Sequence, residues 1–266
     1  MIKDWQKLNI LNHSNLKLAA LLKLAGSKAL DTAETNLLRR NSNPLVIVCH
    51  GFTGSKEGGG RAIEMGDSLA GKGYSTLLFD FAGCGESDGS WADLTLSSQI
   101  ADLSAVVKWS RLKGFNRLIL TGRSFGGSTV ICYSAIDREI EAVCTWAAVA
   151  RPDQLFSRLI NASIKGDPEE LITVNGEEGT VQVKRNFFLD LTKHKPINCA
   201  AQLAPSHFLI IHGTKDQSVP SSDASDLFQA AGEPKELALI KGADHRFTNH
   251  LNQVWTLFFS WLDRLI

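Results

Sequence analysis

Short apolar runs rich in branched residues recur along this chain, each bounded by Gly, Asp or Pro. Leu45-Val-Ile-Val-Cys49 runs into His50-Gly51, Ser75-Thr-Leu-Leu-Phe79 into Asp80, and Arg117-Leu-Ile-Leu-Thr121 into Gly122. Residues 141–147, 207–211 and 236–240 continue the series. Apolar residues in unbroken runs, with no alternation, mark strands buried on both faces. Between them lie segments of helical period. Ser97–Lys113 sets Ile100, Leu103, Val106, Val107 and Ser110 on one face; Ser222–Ala231 and Leu251–Leu265 do likewise. Strand–helix alternation predicts a mostly parallel central sheet covered by helices on both faces. Leu16–Leu24 predicts a strand on the antiparallel edge of that sheet.

At 266 residues the chain suits one domain with a modest insertion. The core is expected over 1–150 and 202–266, with a small cap over 151–201 on the sheet's C-terminal side. Within the cap the sequence predicts a helix over Gln154–Ile164, a Gly-Asp-Pro break and a hairpin. The hairpin's strands, Leu171–Val174 and Thr180–Val183, flank the turn signal Asn175-Gly176.

Lys+Arg and Asp+Glu both count 28, and no long basic run exists, which argues against a nucleic-acid partner. The five cysteines (Cys49, Cys84, Cys132, Cys144, Cys199) are odd in number and form no C-x-x-C. They read as small hydrophobes in a reducing compartment, so the expected location is the cytoplasm. The start shows no signal-peptide core, because Lys17 and Lys23 break the run Leu16–Ala25, and no stretch reaches membrane-spanning length.

Gly122-Arg123-Ser124-Phe125-Gly126 matches G-x-S-x-G, a sharp strand-to-helix turn that exposes its serine. Gly85-Glu86-Ser87-Asp88-Gly89 matches too. Context separates them. A buried strand precedes Gly122, and Gly127, Ser128 and Thr129 follow as small residues that let a helix pack closely. Ser87 sits among charged and turn residues and reads as a loop serine.

A serine hydroxyl needs an imidazole to take its proton. Of the seven histidines, His245 lies in Lys241-Gly-Ala-Asp-His245, after the last strand and before the C-terminal helix. His250 is the rival, placed where that helix begins. The carboxylate that orients the imidazole is expected at Asp216, at the end of His212-Gly-Thr-Lys-Asp216 directly after strand 207–211. Asp223 reads as an early-helix carboxylate, and Asp244 is too close along the chain to His245 to face it. Backbone N–H donors for an oxyanion are expected at Phe125 and, from His50-Gly51-Phe52-Thr53-Gly54, at Phe52. His50 itself reads as a buried residue that shapes this loop.

The ordered set His-Gly-Phe-Thr-Gly (50–54), Asp-Phe-x-Gly-x-Gly-x-Ser-Asp-Gly (80–89), Gly-x-Ser-x-Gly-Gly (122–127), His-Gly-Thr-x-Asp-x-x-Val-Pro (212–220) and Asp244-His245-x-Phe247 resembles α/β-hydrolases. It is most similar to small bacterial carboxylesterases of the cinnamoyl and feruloyl esterase group. The resemblance runs from about residue 45 onward. It implies an α/β-hydrolase fold, a small lid at 151–200, Ser124, Asp216 and His245 as catalytic residues, and the Phe52 and Phe125 amides as the oxyanion site. Cys84 departs from the bulkier polar residue common in that group.

The expected activity is a serine carboxylesterase acting on esters of small or aromatic acids, with no cofactor, no metal and a small-molecule ester as its partner. No H-E-x-x-H or Cys/His ligand spacing occurs, and Gly58-Gly59-Gly60-Arg61 lacks the ending of a phosphate loop. An aminopeptidase or amidase would need a carboxylate pair in the cap, for which Glu169-Glu170 or Glu177-Glu178 are the candidates. A non-catalytic binding protein on the same scaffold is the alternative of another class. Phe156, Phe187 and Phe188 are read either as an acyl pocket or as cap core, and Trp91 stays open between the same two roles.

Overall fold

The apolar runs form one eight-stranded sheet in the structure, a computed structural model that describes residues 4–26, 43–160, 164–176 and 179–265. Its strands are β1 (Gln6–Leu11), β2 (Lys17–Lys23), β3 (Leu45–Cys49), β4 (Ser75–Phe79), β5 (Leu118–Arg123), β6 (Ala142–Trp146), β9 (His207–Gly213) and β10 (Lys235–Ile240). A separate hairpin supplies β7 (Leu171–Gly176) and β8 (Gly179–Lys184). The sheet order is β1-β2-β4-β3-β5-β6-β9-β10. From β4 to β10 every pairing is parallel, and β2 joins β4 antiparallel.

Successive residues of a strand point to opposite faces, so β3 and β5 feed two cores. Leu45, Ile47, Leu118 and Leu120 pack with α2 (Leu96–Leu112) and α3 (Phe125–Ile136), against Leu103, Val106, Val107, Val130 and Ile131. Val46 and Ile119 pack on the other face with α1 (Arg61–Gly71) and α8 (Leu251–Leu262), against Met65, Leu69, Val254, Phe258 and Trp261. A reciprocal capping box starts α2: Thr95 Oγ1 accepts from the Ser98 amide and Ser98 Oγ from the Thr95 amide, both at 2.9 Å. The sheet with helices on both faces is the architecture the alternation predicts.

Four local expectations change. β1 was not foreseen, because only Ile10 of its residues is buried and an edge strand with one wet face makes no apolar run. It takes the edge, so β2 is antiparallel as expected but lies second in order. α1 escaped notice as well: its N-cap is Gly60 in the left-handed region (φ 91°), with no side-chain cap to signal it. The helix expected over 154–164 is the shorter α4 (Pro152–Ser157); residues 161–163 fall outside the described set.

The fourth concerns the hairpin turn. Asn175 and Gly176 belong to β7, paired with Thr180 and Gly179, so the connection is 177–178, outside the described residues. Register follows the buried face, which sets Ile172 opposite Val183 and Val174 opposite Val181. Ile172, Val174 and Val183 are all buried.

Between β6 and β9 the chain runs through α4, the hairpin, α5 (Asn186–Leu191) and α6 (Pro196–Ala200), before α7 (Ser221–Ala230) follows β9. Polar ties fasten this segment to the sheet layer. Asp190 of α5 accepts from the Ser97 amide at 2.9 Å and the Ser97 hydroxyl at 2.6 Å, at the open N-terminus of α2. Lys184 of β8 reaches Asp93 at 2.6 Å. Burial would raise the Asp190 carboxyl, but hydrogen bonds from His194 and Ser97 outweigh it and hold its pKa at about 2. Asp190→Asn is expected to cost about 2 kcal/mol at neutral pH. The carboxylate's contribution is complete above its unfolded pKa of 3.8 and is lost as pH falls toward about 2. Thermal melts of wild type and variant should therefore converge in acid.

Candidate active site

β5 ends in Gly122-Arg123, and Ser124 follows at φ 53°, ψ −121° before α3 begins. That conformation is sparsely populated for a non-glycine residue and costs about 1–3 kcal/mol. Packing forces it. A β-carbon on Gly122 would run into the Gly126 carbonyl, one on Gly126 into the carbonyls of Cys49 and His50, and one on Gly127 would lie 2.6 Å from Ala148 Cβ. α3 thus meets the sheet at a separation only glycine permits. The Ser124 amide donates to the Trp146 carbonyl at 2.9 Å, which holds the turn to β6. Ser87, the rival match, is a structural bridge in its loop: its hydroxyl donates to the Asp80 carbonyl at 2.7 Å and accepts from the Ala19 amide at 2.8 Å.

Asp216 occupies the turn after β9, and its carboxylate is fully sheltered from solvent. Its Oδ1 accepts from the amides of Ser218 (2.9 Å) and Val219 (2.8 Å). Its Oδ2 faces His245 Nδ1 at 2.7 Å and His212 Nε2 at 3.1 Å. Burial pushes this carboxyl up, but the bonds from His212 and His245 prevail and hold it far below the ordinary carboxylate range. It is an anion at any working pH. Facing a carboxylate, Nδ1 of His245 carries the proton, which leaves Nε2 with a free lone pair.

The two loops are bound together. The Lys215 amide donates to Ala243 at 2.9 Å and the Gly242 amide to Thr214 Oγ1 at 2.9 Å. Gly213 lies so close to Ala243 that a β-carbon would strike its carbonyl. The Arg123 guanidinium donates to the His245 carbonyl at 3.3 Å, so the histidine loop is fastened to the residue next to Ser124. Asp244 turns away, accepting from the Thr248 amide (2.9 Å) and hydroxyl (2.7 Å), and Asp223 accepts from the Ala150 amide at 2.8 Å. His250 stands at the N-cap of α8.

The loop after β3 backs onto the serine: a β-carbon on Gly51 would lie 3.4 Å from Ser124 Cβ and 4.0 Å from its Oγ. His50 is buried, with Nδ1 2.8 Å from the Gly51 carbonyl and Nε2 accepting from the Phe81 amide at 3.3 Å. Burial, only partly offset by the Gly51 bond, lowers its pKa and keeps it neutral. It braces the loop. Phe125 is the first residue of α3, where an amide has no intrahelical acceptor.

Two supports were not legible in the sequence. His212, at the end of β9, is a second donor to Asp216; its Nε2 faces two acceptors, Asp216 and the Val219 carbonyl at 3.1 Å, so Nε2 carries the hydrogen. The only signal is its place four residues before Asp216. Lys56 joins the loops after β3 and β4, with Nζ 2.7 Å from Asp80 and 2.6 Å from Glu86. Burial opposes its charge, but these bonds outweigh that and raise its pKa.

Above Phe52, rings from distant segments meet edge to face: Trp91 at 5.5 Å, Phe125 at 5.9 Å and Phe156 at 4.9 Å, with Phe187 tilted at 5.3 Å. Phe187 also meets Phe188 at 5.1 Å. Trp91 Nε1 is buried there with no hydrogen-bond partner among the described residues. A cavity of about 530 Å³ lies on the α1–α8 side of the same loop, lined among others by Gly51, Arg61, Arg123, Arg246 and Trp255. Ser124, Asp216 and His245 do not line it.

Gly126→Ala is expected to lower the melting temperature by roughly 5–10 °C, because the carbonyls it meets belong to β3 and the loop behind it and cannot yield. Calorimetry on the purified variant measures this.

Residues 44–153 match the family model described as the α/β hydrolase fold. An uncharacterized 31.7 kDa protein of the traX-finO intergenic region of Escherichia coli is 31% identical over 127 residues, 46% of this chain. The match spans 43% of that relative's length. Among solved structures, Est1E from Butyrivibrio proteoclasticus, described with ferulic acid bound, superposes with a TM-score of 0.81 at 24% identity, covering 96% of this chain and 98% of that one. The esterase domain of a Rhodothermus marinus protein gives 0.75 at 22% identity, covering 98% of each chain. Sheet order, helix layers and these superpositions agree: the chain has the α/β-hydrolase fold.

Proposed function

We propose that this protein is a serine carboxylesterase that cleaves esters of small or aromatic carboxylic acids through an acyl-enzyme on Ser124. The observation that carries the reading is the 2.7 Å contact between Asp216 and Nδ1 of His245, in a loop fastened beside a serine held at positive φ. In this reading Ser124 Oγ attacks the acyl carbon and its proton passes to Nε2 of His245. The Asp216 carboxylate steadies the imidazolium, and the Phe52 and Phe125 amides receive the oxyanion. Collapse expels the alcohol, which takes the proton from His245. Water then attacks the acyl-enzyme by the same route, releasing the acid and restoring the Ser124 hydroxyl.

Residues 151–201 act as the cap. Phe156 and Phe187 are buried against Phe52 and Phe125, which favours the cap-core reading of these rings over an open acyl wall. Bound ferulic acid in Est1E supports an aromatic acyl group for a protein of this architecture. Of the carboxylate pairs that an aminopeptidase would use, Glu177-Glu178 lies outside the described residues; Glu169 pairs with Lys184 at 2.7 Å and Glu170 with Arg185, so the cap's own cations hold both carboxylates of the other pair. The presence of all three proposed catalytic side chains, Ser124, Asp216 and His245, likewise disfavours a non-catalytic binding protein. The free thiols fit a reducing compartment such as the cytoplasm.

A panel of p-nitrophenyl esters of graded length, methyl ferulate and aminoacyl anilides tests the proposal. Esters should turn over and anilides should lag; faster anilide turnover would favour the amidase. Ser124→Ala should abolish activity while Ser87→Ala keeps it. Asp216→Asn should lower kcat by about 10⁴-fold with the fold intact; an unchanged kcat would remove Asp216 from the mechanism.

A further inference from the structure

The cavity of about 530 Å³ on the α1–α8 side of the loop after β3 takes no part in the proposed ester cleavage. Three arginines line it, Arg61, Arg123 and Arg246, and no Asp or Glu is among the described residues that do. The half-buried Arg123 donates to the His245 carbonyl at 3.3 Å, and the exposed Arg61 to the Arg246 carbonyl at 3.4 Å. A carbonyl is a neutral acceptor, so these bonds place the guanidinium groups without cancelling their charge. Lys56 also lines the cavity, but its ammonium is committed to Asp80 and Glu86. Helix ends add to the positive field. Gly58, Gly59 and Arg61 belong to the start of α1, Leu251 begins α8, and all four line the same space. Each helix N-terminus carries a partial positive charge and favours an anion. The run Gly58-Gly59-Gly60-Arg61 lacks the residues that make a phosphate loop, and much of the remaining wall is apolar, with Met65, Trp146, Phe247 and Trp255.

We infer that this cavity is a second ligand site, which takes an organic carboxylate with an apolar body, such as a medium-chain or aromatic acid. The carboxylate lies at Arg61 and the start of α1, where a guanidinium can meet both of its oxygens side by side. The body lies against Trp146 and Trp255, which a bare inorganic anion would leave unused. Ser124, Asp216 and His245 do not line the cavity, so the site is separate from the proposed catalytic one. The two are nonetheless neighbours. Gly51, Arg123 and Arg246 line it and adjoin Phe52, Ser124 and His245 in the chain, so an occupant rests against the loops that carry the proposed catalytic groups.

Isothermal titration of the intact protein with octanoate tests this, beside octanol as the uncharged counterpart and inorganic phosphate as the bare anion. Octanoate should bind saturably, octanol and phosphate far more weakly, and added salt should weaken the octanoate signal. Arg61→Glu should lower octanoate affinity at least about tenfold. Gly59→Asp is the second variant and sets a negative charge at the exposed rim. Aspartate tolerates the left-handed backbone at that position, and among the described residues no atom lies within 4 Å of the β-carbon it would add. Both variants are titrated below their melting temperatures, and octanoate should raise the melting temperature of the wild type more than that of either. No saturable octanoate binding, octanoate binding that both variants leave intact, or octanol or phosphate binding as tight as octanoate would overturn the assignment. None of these readouts depends on ester hydrolysis, so failure of the esterase reading and failure of this one are told apart.

Discussion

Between the end of β5 and the first turn of α3 there is no space for a β-carbon, and the geometry around Ser124 descends from that. Side chains on Gly122 and Gly126 would each collide with backbone carbonyls, and Gly127 sits against Ala148. A helix drawn this close must start abruptly, and the abrupt start drives Ser124 to φ 53°. The strain is local, while the buried strands that surround it, β3, β5 and β6, carry the apolar packing that sustains it. The same approach seats Gly51 beside Ser124, so the loop after β3 takes its position from the helix it touches.

A second buried element complements the first. Asp216 is an anion without water, and such a group is tolerable only when its lone pairs are met. Two amides and two imidazoles meet them. One imidazole, His212, is fully buried and serves as support; the other, His245, keeps one nitrogen for other work. The arrangement divides two similar side chains into different roles by their surroundings. Lys56, Asp80 and Glu86 do the corresponding work under the loop after β3, where the buried lysine and carboxylate satisfy each other.

The segment between β6 and β9 adds a third layer. Its aromatic residues converge on Phe52 and Phe125, while its charged residues pair with Asp93 and Ser97 before and at the start of α2.

Much of this was legible in the residues because it depends on local rules. Continuous apolar runs named the strands of the parallel sheet, and the glycines around Ser124, against the charged loop around Ser87, separated a strand-to-helix turn from a loop that matches the same pattern. The position of His245 after the last strand and of Asp216 after β9 followed from chain order. What the sequence could not decide rests on contacts between residues far apart in the chain. An edge strand with one wet face carries no apolar run, so β1 emerges only when β2 pairs with it. The hairpin's turn moved past Asn175-Gly176 because the buried valines, not the turn signal, set the register. The support that His212 gives Asp216 and the tie of Lys56 to Asp80 and Glu86 carry no plain signature along the chain, since each is defined by a contact that only folding makes.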